Sequence, residues 1–203
     1  MERYHCVQSS PEKFSLRPTQ SGDICILLEP VEPQEIFDLR QEQGQLQSVF
    51  GGTSMQLVHL TCQRFNIHDA ESQTRSETQI QEDLVAALTQ KVTTLHPFPI
   101  ITLSLVPLYV PFEQTIVLKW CIHITDELRT FIKILYETLQ WVGIRSLYKK
   151  WFIPTLITTL RDIDEHKTED LEQWSNRSYL KPLFTASQIE LSKIYSLDNY
   201  AIL

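Results

Sequence analysis

The alternation of apolar and polar residues along the chain predicts several β-strands. A continuous apolar run at Ile24–Leu28 is typical of a buried strand. In the segment Met55–Phe65, positions 57, 59, 61 and 63 share one face, because successive side chains of a strand point to opposite sides. The other predicted strands are Ile101–Val106, Thr115–Trp120, Trp151–Leu160 and two weaker ones, Gln188–Ser192 and Asn199–Leu203.

The strongest helical pattern lies between residues 126 and 142. Its apolar residues recur every three or four positions and therefore form one stripe. The stripe consists of Leu128, Phe131, Ile132, Leu135, Leu139 and Val142. Thr125 is the expected N-cap and Gly143 the expected stop, since a hydroxyl can accept from the first free N–H groups and glycine tolerates a left-handed end.

Three further helices are predicted from weaker signals. Pro33 suits the first turn of a helix that follows the first strand. Thr78 and Gln81 resemble a capping box at the start of a second helix, and a short polar helix is expected at Asp170–Trp174. The resulting order contains two strand-helix-strand units, which predicts a two-lobed α+β fold.

The composition is that of a folded globular protein. Of the 203 residues, 42% are apolar and 21% charged, and only 5 are glycine. No flexible linker is visible, so we expect one domain over residues 1–203, with residues 1–20 forming a mobile N-terminal segment. The net charge of −7 argues against bulk DNA binding, because the whole molecule repels polyanions, whereas a local basic site remains compatible with it.

The spacing of the cysteines and the length of the apolar runs indicate whether the chain holds a metal and whether it crosses a membrane. The four cysteines form no C-x-x-C pair and the histidines show no metal-ligand spacing, so we expect no metal and no cofactor. The N-terminus lacks an apolar signal core, and the most apolar stretch is broken by Pro107 and Pro111, short of about 20 residues. We therefore expect a cytoplasmic protein without a membrane span, in which the Asn176 sequon is not glycosylated.

His59 and Thr61 are the candidate reactive groups of the chain. They lie two positions apart in a predicted strand, so the imidazole and the hydroxyl point into the same space. An imidazole can exchange a proton near neutral pH, and a hydroxyl can donate a hydrogen bond to a phosphoryl oxygen. The alternative is an ordinary polar pair on a solvated sheet face.

The segment Val58–Phe65 (VHLTCQRF) and the elements around it resemble the 2H phosphoesterase superfamily, which includes RNA 2′-5′ ligase-like proteins and cyclic phosphodiesterases. The resemblance covers residues 24–203. It implies two pseudo-symmetric antiparallel sheets, flanked by helices around a central cleft, with one H-x-T strand in each lobe. It further implies that His59 and Thr61 form the first motif and act on a 2′,3′-cyclic or 2′-5′ phosphodiester.

The second H-x-T motif is degenerate. Its position after the long helix and its leading proline place it in the segment Pro154–Leu160. The family pattern puts Thr155 in the His place and Ile157 in the Thr place. A shift by one residue puts Leu156 and Thr158 there instead. Neither register contains a histidine, so one catalytic group is missing.

A second literal H-x-T occurs at His123-Ile124-Thr125. It lies between a strand and the long helix, where capping of that helix fully explains the threonine. We therefore expect His123 to be structural, with a displaced partner of His59 as the alternative.

Basic residues flank both predicted motif strands. Arg64 follows the first, Lys150 precedes the second and Arg161 follows it. These residues can supply local positive charge for a phosphate, the alternative being a solvated basic turn.

The sequence thus predicts a 2H phosphoesterase-like protein that acts on or binds RNA ends or cyclic nucleotides and is catalytically impaired. If it is active, we expect a phosphodiesterase or an RNA 2′-5′ ligase-like hydrolase. The alternative is a non-catalytic nucleotide-binding, RNA-binding or protein-interaction module on the same fold.

Overall fold

Ten strands and four α-helices make up the part of the chain that the computed structural model describes, which is residues 7–8, 19–69, 75–92, 96–110, 113–149, 152–196 and 199–202. The strands are β1 Val7–Gln8, β2 Ile24–Leu28, β3 Thr53–Ser54, β4 Leu60–Phe65, β5 Phe98–Val110, β6 Thr115–Ile122, β7 Leu156–Arg161, β8 Pro182–Ala186, β9 Ile189–Ser196 and β10 Asn199–Ile202. The helices are α1 Pro33–Phe50, α2 Glu77–Val92, α3 Asp126–Val142 and α4 Leu171–Arg177. Short 3₁₀ turns lie at Ile67–Asp69 and Glu165–Asp170.

The strands form two sheets. The six-stranded sheet has the order β1-β5-β6-β7-β3, with β8 paired to the first part of β5. The four-stranded sheet has the order β10-β9-β2-β4. All pairings are antiparallel except that of β1 with β5. The expected α+β architecture with two antiparallel sheets is confirmed.

One main core joins the helices to one face of each sheet. It contains the apolar stripes of α1, α2 and α3 together with alternate residues of the central strands. Leu60 of β4 and Trp120 of β6 are fully buried in it. Among the described residues, the opposite face of each sheet carries only small apolar clusters built from strand residues, and no described helix packs on it. We call these opposite surfaces the helix-free faces.

Both predicted ends of α3 are confirmed. The Thr125 hydroxyl accepts a hydrogen bond from Leu128 N at 3.2 Å, which satisfies one of the first free N–H groups. Gly143 ends the helix with φ at 80°, and its N–H donates to carbonyls of the last turn. The local pattern was sufficient here, because an N-cap and a C-cap depend on neighbours within one helical turn.

The predicted start of α2 is wrong by two residues. The helix begins at Glu77, and Ser76 Oγ accepts a hydrogen bond from Gln79 N at 3.2 Å. Ser76 therefore occupies the place expected for Thr78, because a serine hydroxyl caps a helix as well as a threonine does.

Several strands differ from the prediction. β4 begins at Leu60 instead of Met55, so His59 lies just outside it. β5 runs through Pro107 to Val110, with Pro107 paired to Leu118 of β6. β7 begins at Leu156, five residues later than expected. β8 was not predicted, since it is only 5 residues long and begins at Pro182.

Little of the expected mobile segment at residues 1–20 is described. Val7 and Gln8 form β1, which pairs in parallel with β5, and residues 19–20 lead into β2. Residues 1–6 and 9–18 lie outside the described residues. In the described ranges, no helix is long and apolar enough to cross a bilayer.

The Thr125 cap yields a test of the fold. We expect Thr125→Ala to lower the free energy of unfolding by about 1 kcal/mol, because Leu128 N loses its partner. Urea denaturation measures the change. Thr130→Ala, at an exposed position of the same helix, is the matched control and is expected to be neutral or slightly stabilising. Equal effects of the two variants would show that the cap contributes nothing.

Candidate functional site

Thr61 is the second residue of β4, and His59 directly precedes the strand. Leu60 between them is fully buried in the main core, whereas His59 and Thr61 are half-buried. Thr61 pairs with Leu27 of β2, which belongs to a cluster on the helix-free face. Alternation therefore directs Thr61 to the helix-free face of the four-stranded sheet and gives His59, directly before the strand, the same side.

A β-bulge follows Thr61. Thr61 pairs with Leu27 and Arg64 with Cys25, so three steps along β4 match two steps along β2 and Cys62 is the extra residue. Without the bulge, Thr61 and Arg64 would point to opposite faces, because they are three positions apart. With it, both belong to the helix-free face.

The side chains of β7 alternate between the two faces of the six-stranded sheet in the same way. Thr158 pairs with Lys119 of β6 and is half-buried. Ile157 pairs with Trp120, and both side chains are fully buried in the main core. Leu156 and Thr158 consequently lie on the helix-free face, together with Lys119.

A second bulge follows Thr158. Thr158 and Leu160 pair with consecutive residues of β6, so Thr159 is the extra residue. Arg161 therefore reaches the helix-free face although it lies three positions beyond Thr158. The extra residue is held by Gln43 of α1, a buried side chain whose Nε2 donates to the Thr159 carbonyl at 3.1 Å.

The two bulges give β4 and β7 the same register, because in each strand the extra residue directly follows a threonine. Thr158 corresponds to Thr61, and Leu156 takes the place of His59. β4 contacts β7 where the two sheets meet. The corresponding threonines therefore belong to two neighbouring strands of different sheets.

Thr155 and Ile157 belong to the other side of β7. Ile157 is fully buried, and the Thr155 carbonyl accepts a hydrogen bond at 2.7 Å from the N–H of Ile122, a residue of the main core. Of the two registers that the sequence allows, the structure places the one with Leu156 and Thr158 on the helix-free face.

His59 lies within the electrostatic range of Lys119 on the other sheet. Burial lowers the pKa of His59, and the positive charge of Lys119 lowers it further, while a hydrogen bond with the backbone of Leu57 acts in the opposite direction. The imidazole is therefore neutral at pH 7. A neutral imidazole can accept a proton from a nucleophile, which is the task of a general base.

Lys119 is a half-buried cation between charged neighbours. Burial lowers the pKa of Lys119, the carboxylate of Glu113 raises it, and the guanidinium of Arg161 lowers it. Val106 and Thr158 are its partners across β5 and β7. The ammonium is thus poorly hydrated, and its own strand offers it no carboxylate.

Arg64 is held in a buried ion pair. Its Nε lies 3.7 Å from Asp23 Oδ2, its Nη1 donates to the Thr19 hydroxyl, and its Cζ lies 5.8 Å from the ring centroid of Tyr148. Asp23 is fully buried and also accepts from Asn66 Nδ2 at 3.3 Å. The guanidinium is therefore a structural group beneath Tyr148 rather than an exposed charge.

Arg161 also forms an ion pair, with Glu113, and both side chains are about one-quarter exposed. It stays accessible at the end of β7, in contrast to Arg64. The third predicted basic residue, Lys150, lies outside the described residues, as does Trp151.

His123 is exposed at the end of β6, and its N–H donates to the Ile101 carbonyl at 2.7 Å. It lies four positions beyond Lys119, which corresponds to about 13 Å along a strand. The structure thus places it away from the residue that His59 faces.

Two carboxyl groups border the site on the four-stranded sheet. Glu29 directly follows Leu28, the last paired residue of β2, and His59 directly precedes Leu60, the partner of Leu28. Burial raises the pKa of Glu29 to about 7, and a hydrogen bond with Glu190 contributes to the rise. Glu29 therefore keeps its proton to a higher pH than an ordinary glutamate does.

Sequence reasoning missed Lys119, Glu29 and Gln43. Lys119 looks like an ordinary polar position in an alternating strand, and Glu29 like the first residue of a loop. A buried glutamine on an amphipathic helix has no sequence signal, because its partner is a carbonyl 116 residues away. Among the described residues, no three His, Cys, Asp or Glu side chains group to hold a metal.

No protein-family model matches the chain, and no curated protein matches it in sequence. Among solved structures, Usb1 of Kluyveromyces marxianus, determined with uridine monophosphate, is similar, with a TM-score of 0.51 and 11% identity. The match covers 90% of this chain and 98% of that one. The apo form of LigT from E. coli is similar with a TM-score of 0.52 and 13% identity, over 91% of this chain and 96% of that one.

The chain therefore has the fold of Usb1 and LigT, an α+β fold with two antiparallel sheets as the sequence resemblance implies. Identity of 11 to 13% defines the fold alone. The chemistry of this chain has to follow from its own side chains on the two helix-free faces.

The carboxyl pair gives the fold a pH dependence. Because the folded pKa of Glu29 lies above its ordinary value of 4.5, the folded state retains a proton that the unfolded chain releases. Stability is therefore expected to fall as pH rises from about 4.5 to about 7.

Glu29→Gln tests this dependence. We expect the variant to be more stable than the native chain at pH 8 by about 1 kcal/mol, which is well under the full linkage value because the pair is partly exposed. At pH 4 the gain disappears. Urea denaturation at both pH values measures it, and Glu82→Gln, at an exposed position of α2, is the control. An equal gain at both pH values would contradict the raised pKa of Glu29.

Proposed function

We propose that this chain is a 2H phosphoesterase-like protein whose helix-free faces bind the phosphodiester of an RNA end or a nucleotide, of the 2′,3′-cyclic or 2′-5′ type. The observation that carries the proposal is the matching register of β4 and β7. It gives Thr61 and Thr158 corresponding positions on two contacting strands, with His59 beside them. The similar fold of Usb1, determined with uridine monophosphate, supports a nucleotide as ligand.

The residues present suit the binding of a phosphate. The hydroxyls of Thr61 and Thr158 can each donate a hydrogen bond to a phosphoryl oxygen. Because His59 is neutral at pH 7, it can take the proton of an attacking water as the water oxygen bonds to phosphorus.

Hydrolysis also requires a donor for the departing ribose oxygen. Leu156 stands in the place that corresponds to His59, and an alkyl chain carries no proton to give. General acid catalysis contributes roughly 10²- to 10⁴-fold, so we infer that turnover is slower by about that factor than with two histidines.

A pure binding or protein-interaction module on the same fold is the second candidate. The replacement of the second histidine by Leu156 favours it, because binding needs hydrogen-bond donors and a cation but no proton transfer. The two candidates differ in whether any His59-dependent turnover is measurable.

Binding is tested with the threonines. We expect the native chain to bind 2′,3′-cyclic uridine monophosphate in a calorimeter, and Thr61→Ala and Thr158→Ala each to weaken binding about 5- to 10-fold, because a phosphoryl oxygen loses a donor. Thr130→Ala, exposed on α3, is the control. A native chain that binds neither this ligand nor a 2′-5′ dinucleotide would refute the proposal.

Turnover is tested by restoring the second histidine. We expect Leu156→His to raise hydrolysis of 2′,3′-cyclic nucleotides by at least about tenfold, because the imidazole enters the helix-free face opposite His59. Thr155→His, which alters the core side of β7, is the matched control and should give no gain. His59→Ala should abolish the gain of Leu156→His.

The same pair of variants also tests which register of β7 is the functional one. A gain from Thr155→His without one from Leu156→His would show that Thr155 and Ile157 are the functional pair. Native turnover already as fast as that of Leu156→His would show that the chain is not impaired.

A further inference from the structure

We propose that Lys119 replaces the second histidine as the cationic phosphate ligand, from β6 instead of β7. This inference rests on the proposed phosphodiester site and names the group that completes it. It assigns a role to a residue that belongs to neither H-x-T position.

The placement of Lys119 is the first argument. Lys119 pairs with Thr158 across two antiparallel strands, so the ammonium and the hydroxyl share one face. Leu118 and Trp120 on either side are fully buried in the main core, which leaves the helix-free face for Lys119. Its charge acts on His59 of the other sheet, so the two groups lie close to each other.

The corresponding position of the other lobe is the second argument. Leu27 pairs with Thr61 as Lys119 pairs with Thr158, and Leu27 is fully buried. The first lobe thus carries a leucine beside its threonine and His59 at the motif position. The second lobe carries Lys119 beside its threonine and Leu156 at the motif position.

The strand geometry allows the side chain of Lys119 to reach the place of the missing histidine. Diagonal neighbours on adjacent strands have Cβ atoms about 7–8 Å apart, within reach of a long side chain. Lys119 and Leu156 are diagonal neighbours, since Leu156 pairs with Cys121. The four-carbon stem of Lys119 can therefore bring its ammonium to the space in front of Leu156.

Stability gives the third argument. A half-buried ammonium whose charge is opposed by burial and by Arg161 costs folding free energy, even with Glu113 nearby. Glu113 already has Arg161 as a partner. A group that the fold holds at a cost, facing a candidate site, is typical of a functional residue.

Lys119→Met separates function from structure, because methionine keeps the unbranched length of the side chain and removes the charge. We expect its affinity for 2′,3′-cyclic uridine monophosphate to fall roughly 10- to 100-fold. Its resistance to urea should be unchanged or higher. Weaker binding together with undiminished stability is a combination that a purely structural lysine does not produce.

Two control variants define the charge requirement. Lys119→Arg keeps the positive charge and should bind more tightly than Lys119→Met. Lys133→Met removes a lysine that is 60% exposed on α3 and pairs with Glu137, and it should bind like the native chain. Uridine, which lacks the phosphate, should bind the native chain and Lys119→Met equally.

Proton uptake provides an independent readout. A phosphate next to Lys119 favours its charged form, so the native chain should take up protons on binding at alkaline pH. Among the described residues, the charged and titratable groups that act on Lys119 are His59, Glu113 and Arg161. Calorimetry in buffers of different ionisation enthalpy measures the uptake, which should decrease in Lys119→Met and persist in Lys133→Met.

The outcomes distinguish the inference from the proposed function. If the native chain binds the cyclic nucleotide and Lys119→Met binds it equally well, Lys119 is not a ligand and the phosphodiester site stands without it. If the native chain binds no phosphodiester, the proposed function is refuted and the inference with it.

Discussion

The two β-bulges, one after Thr61 and one after Thr158, are the constraint on which the site depends. Side chains alternate along a strand, so a threonine and an arginine three positions apart would face opposite sides. One extra residue in each strand brings both to the helix-free face. The ion pairs of Arg64 and Arg161 then form on the same surface as the threonine hydroxyls. Loss of either bulge, with the register beyond it unchanged, would turn the threonine hydroxyl toward the main core.

The site combines charges that each cost stability where they stand. Burial lowers the pKa of the half-buried Lys119, and burial together with a hydrogen bond to Glu190 raises the pKa of Glu29. The main core, which joins all three long helices to both sheets, supplies the stability that tolerates them. Glu29 directly follows β2 of one sheet, and Lys119 lies in β6 of the other. The pKa of the acid is thus raised and the pKa of the amine lowered, and such shifts are common at sites where protons move.

The sequence predicts the elements whose signals are local. It does not predict features that depend on which strand residues pair. Helix α3 was predicted to both ends because Thr125 and Gly143 act within one turn. The choice between Thr155 and Leu156 depends on which β7 residues pair with β6 and on the extra residue at Thr159, neither of which leaves a mark in the sequence. Lys119 was missed for the same reason, since its neighbour Thr158 is distant along the chain and adjacent only across the sheet.

A motif defined along one strand describes only part of a site that is built across several. In a sheet, the nearest neighbour of a side chain is on the adjacent strand at about 4.5–5.5 Å, whereas the next residue on its own face is about 6.5–7 Å away. A cationic side chain can therefore be carried by the adjacent strand instead of the motif strand while the position of its charge changes little. Leu156 and Lys119 in one lobe, against His59 and Leu27 in the other, fit such an exchange. The loss of a motif residue then changes the proton chemistry of the site more than its charge, because an ammonium can hold a phosphate where an imidazole would also transfer a proton.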